Sequence, residues 1–158
     1  MEAREAGEVS VLDIVLAQVK RHEGWRAHPY NDKTGKRVIA PDGGCITVGY
    51  GTNIETISKE EGEWLLEKRL AVAMTDAAMI FAQGWNALSD VRKAVLINMS
   101  YQLGGPRLSD FMNLRAAVAT GDHAAAKLAM LDSVWARQVP SRALELAEAY
   151  FGDAARMV

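Results

Sequence analysis

One segment, "DVRKAVLINMSYQLG" at residues 90–104, constrains the fold more than any other part of the chain. Its apolar residues surround almost the whole circumference of a predicted helix, so other elements must cover that helix on nearly every face. Ser89 stands at the N-cap position, and Gly104 and Gly105 are suited to end the helix. We therefore predict a buried central helix around which the remaining helices pack.

The segments on either side supply helices that such a core needs. An apolar stripe with i, i+3, i+4 and i+7 spacing predicts an amphipathic helix that ends near residues 22–24. Ser58 and Glu61 have the capping-box spacing at the start of a longer helix, about 58–82, which could connect two lobes. Shorter helices are predicted at about 108–119, 122–137 and 141–152, with breaks at Gly121 and Pro140.

The periodicity changes between residues 29 and 53. The turn patterns "NDKTGK" and "PDGG" separate the short apolar runs "RVIA" and "CITVGYG", which indicates a small antiparallel hairpin or three-stranded sheet. We expect Cys45 to be a buried strand residue.

The predicted fold class is therefore α+β, mostly helical and two-lobed. One domain, 1–158, would comprise a small lobe at about 12–57 with its hairpin at 29–53, a connecting helix at about 58–82, and a helical lobe at about 85–152.

Charge and cysteine content exclude several classes of protein. A formal net charge of −2 argues against a nucleic-acid-binding protein that neutralises phosphates broadly. A single cysteine excludes an internal disulfide and a multi-cysteine zinc site. No apolar stretch is long enough for a signal peptide or a membrane span, so we expect synthesis in a cytoplasm, no export by a signal of its own and no stable membrane association.

Two carboxylates and one hydroxyl are candidates for a catalytic role. Glu23 ends the first predicted helix, Asp32 follows in the first turn of the hairpin, and Thr47 lies in a predicted strand. A proton donor plus a second carboxylate is what cleavage of a glycosidic bond requires, and a hydroxyl beside them can hold a water molecule. Most carboxylate pairs with this spacing are solvated surface groups, so the spacing alone leaves both interpretations open.

Other patterns have structural explanations that are more common than the functional ones. The run "GYGTNI" lacks the third glycine of a dinucleotide-binding loop. Cys45 has no histidine that the sequence pairs with it as a nucleophile, and the three histidines are scattered without metal-ligand spacing. His22 could tune Glu23 by adjacency or lie solvated at the helix end.

Four stretches resemble the phage-type lysozymes, a glycoside hydrolase family of endolysin muramidases. In the first half, "HEGWRAHPYND" and "ITVGYGTNI" match the family's Glu-Gly, Tyr-x-Asp and Thr-[Ile/Val]-Gly-Tyr-Gly elements. In the second half, "LINMSYQLG" resembles its buried central helix and "WARQVPSRA" its Trp-x-x-Gln-x-Pro-x-Arg-Ala pattern. The matches run in the same order from about residue 12 to 151.

The resemblance implies roles for particular residues. Glu23 would be the general acid, Asp32 the second catalytic carboxylate and Thr47 the third catalytic residue, while Arg142 would neighbour Glu23. The remaining implied substrate-binding positions are Gly51, Asn53, Tyr101, Gln102 and Gln138. The long interval between Asp32 and Thr47, "KTGKRVIAPDGGCI", departs from many relatives and predicts an enlarged hairpin.

The resemblance also implies a function. We expect an endolysin that hydrolyses the β-1,4 bond between N-acetylmuramic acid and N-acetylglucosamine in bacterial peptidoglycan by inverting water attack, without a cofactor. It would accumulate in the host cytoplasm as a monomer and reach the wall through a separate pore-forming protein. A lytic transglycosylase and a non-catalytic peptidoglycan-binding module of the same fold are the alternatives.

Overall fold

The computed structural model describes residues 9–31, 33–40 and 43–152, and 66% of the structure is helical. The helices are α1 (Val11–Glu23), α2 (Lys59–Ile80), α3 (Asp90–Leu103), α4 (Gly105–Ser109), α5 (Met112–Thr120), α6 (His123–Leu131), α7 (Val134–Gln138) and α8 (Pro140–Gly152). A two-stranded antiparallel sheet lies between α1 and α2. The predicted mostly helical α+β fold with a small sheet is confirmed.

Helix α3 is the centre of the core. Every residue at positions 94–100 is buried, including the polar side chains of Asn98 and Ser100. Helices α1, α2 and α8 pack against α3. Because neighbours cover it on several sides, α3 can be apolar almost all round, as its sequence predicts.

The predicted helix starts are confirmed where a local cap marks them. The Ser58 hydroxyl accepts a hydrogen bond from the Glu61 amide at 3.1 Å, and the Glu61 carboxylate accepts one from the Ser58 amide at 2.8 Å. Ser89 caps α3 in the same way through the Arg92 amide, at 3.3 Å. Helix α2, 22 residues long, spans about 33 Å.

Two predicted helices are in fact pairs of shorter ones. The segment 108–119 is divided between α4 and α5, and 122–137 between α6 and α7. In the second case Ser133 explains the break, because its hydroxyl donates to the Met130 carbonyl at 2.7 Å and accepts from the Ala136 amide at 3.0 Å. A residue that caps a new helix in this way ends the previous one.

The β structure is much smaller than predicted. Strand β1 (Thr47–Val48) pairs with β2 (Thr52–Asn53), and the only other pairing among the described residues is an isolated bridge between Tyr30 and Arg37. The predicted strand "CITVGYG" instead turns at its glycines, where Gly49 has φ 60° and Gly51 has φ 85°. The run "RVIA" forms no strand.

The prediction that Cys45 is a buried strand residue is wrong, since it is exposed and precedes β1. The adjacent predicted turn "PDGG" lies partly outside the described residues, at positions 41 and 42. Within the described ranges, no helix combines the length and apolar character needed to cross a membrane.

Gly84 provides a test of the packing between the end of α2 and the end of α5. Its φ is 99°, and a Cβ added there would lie 2.4 Å from the Val118 carbonyl oxygen. We expect Gly84→Ala to lower the free energy of unfolding by about 3 kcal/mol, because backbone strain and a backbone clash act together. Urea denaturation measures this change.

Gly121→Ala is the matched control. Gly121 has φ 71°, but a Cβ there would meet nothing within 4 Å, so only the strain remains. Its expected cost is about 1 kcal/mol. Equal effects of the two substitutions would contradict the close approach at Gly84.

Candidate active site

Glu23 is the last residue of α1, and its carboxylate binds a side chain of α8, the last helix of the chain that the structure describes. Arg142 Nη2, in the first turn of α8, donates to Glu23 Oε1 at 2.8 Å. The Arg142 side chain is 12% exposed and that of Glu23 42%. The C-terminus of a helix is partially negative and its N-terminus partially positive, so a carboxylate at the first and a cation at the second are each repelled. The ion pair between Glu23 and Arg142 offsets both repulsions.

A cavity of about 470 Å³ opens beside Glu23. Three aromatic side chains line it, namely Trp25, Tyr30 and Tyr101. Aliphatic side chains of α1 and α2 and several charged groups complete the lining, which includes Val19, Lys20, Leu65, Leu66, Glu63 and Arg69. Aromatic and apolar walls with a few polar groups are typical of a cavity that binds an organic ligand.

Tyr101, on α3, faces the carboxylate of Glu23. Burial raises the pKa of the Tyr101 hydroxyl, and the charge of Glu23 raises it further, while Arg69 and Arg142 act in the opposite direction. The phenol therefore stays protonated around neutral pH and can donate a hydrogen bond into the cavity.

Glu63 is a second carboxylate that lines the cavity, and like Glu23 it binds a cationic side chain. Lys20 Nζ donates to Glu63 Oε1 at 2.8 Å. This hydrogen bond and the positive charge of Lys20 hold the pKa of the Glu63 carboxyl below its usual value.

The position of Trp25 depends on a glycine in α2. A Cβ added to Gly62 would lie 2.3 Å from Cζ3 of the Trp25 indole, so the ring rests directly on the helix backbone. The Trp25 side chain is still half exposed. It therefore presents a large apolar surface at the cavity next to Glu23.

Other residues implied by the resemblance lie outside this cavity. Thr47, Gly51 and Asn53 are exposed in the hairpin, and none of them lines the cavity. Thr47 is paired with Asn53 across the two strands. Asp32 lies outside the described residues.

The two predicted glutamine contacts are not among the residues that line the cavity beside Glu23. Gln102 Oε1 accepts a hydrogen bond from Trp135 Nε1 at 2.8 Å, and the indole of Trp135 is buried. Gln138 is exposed and lines a groove of about 630 Å³ that also includes Phe111 and Trp135. The structure thus brings Glu23, Tyr101 and Arg142 together, whereas neither glutamine lines the cavity beside them.

A model of the phage lysozyme family matches residues 20–145, which include Glu23, Tyr101 and Arg142. The chain belongs to the phage lysozyme family. Comparison with curated proteins gives no match. Membership assigns this phage lysozyme to the peptidoglycan-hydrolysing endolysins in general, with the bacterial cell wall as the material it acts on.

The structure also shows contacts beside Glu23 that the sequence did not predict. Arg21 and His22 of α1 both contact Glu145 of α8. The partners are more than 120 residues apart in sequence, at separations of 124 and 123. No local pattern marks such a pair, because the contact exists only once α1 and α8 have both packed on α3.

Proposed function

We propose that this phage lysozyme hydrolyses the β-1,4 bond between N-acetylmuramic acid and N-acetylglucosamine in peptidoglycan, with Glu23 as the general acid. The observation that carries the proposal is the position of Glu23, which is bound by Arg142 at the edge of a cavity lined with aromatic side chains. Family membership supplies the substrate class. The resulting cleavage would degrade the wall and lyse the host.

One carboxylate oxygen of Glu23 is free of hydrogen bonds to the part of the chain that the structure describes. Arg142 binds Oε1, and no hydrogen bond joins Oε2 to any residue in the described ranges, so Oε2 is available to carry the proton. In this proposal Oε2 delivers its proton to the glycosidic oxygen as the bond breaks.

The family resemblance supports roles for Asp32 and Thr47 in positioning the attacking water. An ionised carboxylate and a hydroxyl can together hold a water molecule beneath the sugar ring, and direct attack by that water inverts the anomeric configuration. Such a reaction needs an acid, a base and water, and so requires no cofactor. The exposed hairpin that presents Thr47 must then face the saccharide when the substrate is bound.

The substrate-binding residues fall into two groups in this proposal. Tyr101 would donate its hydroxyl to the sugar beside Glu23, and Arg142 would keep the acid oriented. The second group would contact the polymer farther from the cleaved bond: Gly51, Asn53, Gln102 and Gln138.

The mass and configuration of the products test the reaction. Purified peptidoglycan incubated with the protein should release N-acetylmuramic acid ends that have gained water, initially as the α-anomer, because attack inverts the β-linkage. Mass spectrometry and NMR of the products give both results. Anhydro ends would instead indicate a lytic transglycosylase, an alternative favoured by the absence of Thr47 from the cavity lining.

The route to the wall and the oligomeric state are further proposals. We propose that the protein accumulates in the host cytoplasm as a monomer and crosses the inner membrane only through a lesion made by a separate pore-forming protein. Expression with and without such a protein tests the route, and efficient export without it would contradict the proposal.

A further inference from the structure

Helices α1 and α8 are connected by charged side chains on two successive turns. Glu145 Oε1 accepts from Arg21 Nη2 and lies 3.2 Å from His22 Nε2. One helical turn earlier in α8, Arg142 binds Glu23. Two ion pairs therefore join the same two helices. The first, between Arg142 and Glu23, holds the proposed acid, and the second, between Glu145 and the pair Arg21 and His22, lies beside it.

The second ion pair continues into the core. The His22 side chain is only 8% exposed, so it is not solvated at the end of the helix. Its Nδ1 lies 3.4 Å from Asn98 Nδ2, which donates to Gln18 Oε1 at 3.2 Å. Gln18 and Asn98 are fully buried. Glu145 is thus the outer end of a polar chain that passes from α8 through α1 to α3.

The order of charges fixes which residues meet. Along α1, Arg21 and His22 precede the anionic Glu23, whereas along α8 the cationic Arg142 precedes Glu145 by three residues. A shift of α8 along α1 in one direction would bring Arg142 towards Arg21, and a shift in the other direction would bring Glu145 towards Glu23. Like charges at contact distance repel, so the pairing of Glu145 selects the alignment in which Arg142 reaches Glu23.

The ion pair between Arg21 and Glu145 contributes little to stability. The side chains of Arg21 and Glu145 are 50% and 35% exposed, and ion pairs with that exposure contribute little to the free energy of unfolding. Geometry at the acid is more sensitive, because a displacement of about 1 Å at a reacting group can reduce turnover a hundredfold.

We propose that Glu145 is a positioning residue for the reaction: by binding Arg21 and His22, it holds α8 so that Arg142 meets Glu23. This inference rests on the proposed function of Glu23 as the acid. Glu145 itself touches no substrate in this role.

Glu145→Gln tests the inference through kinetics on soluble peptidoglycan fragments. We expect kcat to fall about tenfold, with KM within twofold of the wild-type value. Glu148→Gln is the matched control, because Glu148 lies three residues farther along α8 and binds Lys127 of α6 at 2.7 Å instead of α1. The control should keep the wild-type kcat, and an equal loss in both variants would overturn the inference.

A double-mutant cycle with Arg142→Gln separates positioning from a general structural role. If Glu145 acts through Arg142, adding Glu145→Gln to Arg142→Gln should change kcat by less than about twofold. Independent, multiplying losses would overturn the inference. If Glu145→Gln unfolds the protein, Arg21→Gln is the substitute variant, because it removes an exposed partner of the same carboxylate. It should lower kcat about threefold. An unchanged kcat in Arg21→Gln would overturn the inference.

A spectroscopic measurement keeps this inference separate from the proposed function. In ¹H–¹⁵N spectra, the Arg142 side-chain Nε–H signal should move in Glu145→Gln in the same direction as in Glu23→Gln. If the wild-type protein fails to cleave peptidoglycan, the proposed reaction is wrong. The Arg142 signal would then still show whether Glu145 positions Arg142. An unmoved Arg142 signal in Glu145→Gln would overturn the inference even if kcat fell.

Discussion

Replacing Glu23 by glutamine should reduce the turnover of purified peptidoglycan by about a thousandfold, because the amide cannot deliver the proton that the leaving oxygen needs. The amide oxygen can still accept the hydrogen bond that Arg142 now donates to Oε1 at 2.8 Å, so the geometry should be retained. The Glu23 side chain is 42% exposed, so water can replace part of its interaction with Arg142, and the cost to folding should be about 1 kcal/mol. The variant should therefore fold and still bind peptidoglycan.

Release of soluble fragments and co-sedimentation with insoluble peptidoglycan measure the two properties separately. Glu67→Gln, an exposed carboxylate on α2 that lines no cavity described above, is the control and should keep full activity. A non-catalytic binding module would release no fragments, and neither substitution would change its binding to peptidoglycan. Undiminished turnover by Glu23→Gln would exclude Glu23 as the acid.

Replacing Leu96 by alanine should lower the free energy of unfolding by about 3 kcal/mol. Leu96 is fully buried in the middle of α3, the helix that α1, α2 and α8 surround. Removing three carbon atoms there loses apolar contacts and leaves a cavity that closely packed helices close only in part. For a chain of this length the melting temperature should fall by roughly 10 °C.

Leu144→Ala is the matched control for this change. Leu144 lies on α8 and is 53% exposed, so its truncation should alter the free energy of unfolding by less than about 0.5 kcal/mol. Calorimetry or urea denaturation of the two variants measures the difference. A cost below about 1 kcal/mol for Leu96→Ala would contradict the central position of α3.

The helices could be predicted because their signals are local. The Ser58–Glu61 capping box lies within four consecutive residues, and the apolar character of α3 is visible in its own sequence. The divisions inside 108–119 and 122–137 were missed because the apolar spacing continues across them. Ser133 marks one division only through hydrogen bonds that its hydroxyl makes in the folded chain.

The extent of the sheet could not be predicted in the same way. A strand is stable only when a partner strand and a covering layer are present, and both depend on residues distant in sequence. Val38 and Ile39 are β-branched residues that favour strands, yet both are exposed and neither belongs to β1 or β2. The expectation that Cys45 is buried failed for the same reason, because alternation of apolar residues does not by itself supply a layer to cover them.

The sequence by itself determined the helical core and the position of Glu23 at the end of α1, because caps and apolar periodicity act within one or two turns. The resemblance to phage lysozymes added Arg142 as a neighbour of Glu23, and that contact is present at 2.8 Å. Only the tertiary structure decided that the His22 side chain is 8% exposed and that Glu145 joins it to Arg21. These side chains meet because α1 and α8 both pack on α3, and the sequence contains no local signal for a contact between helices at opposite ends of the chain.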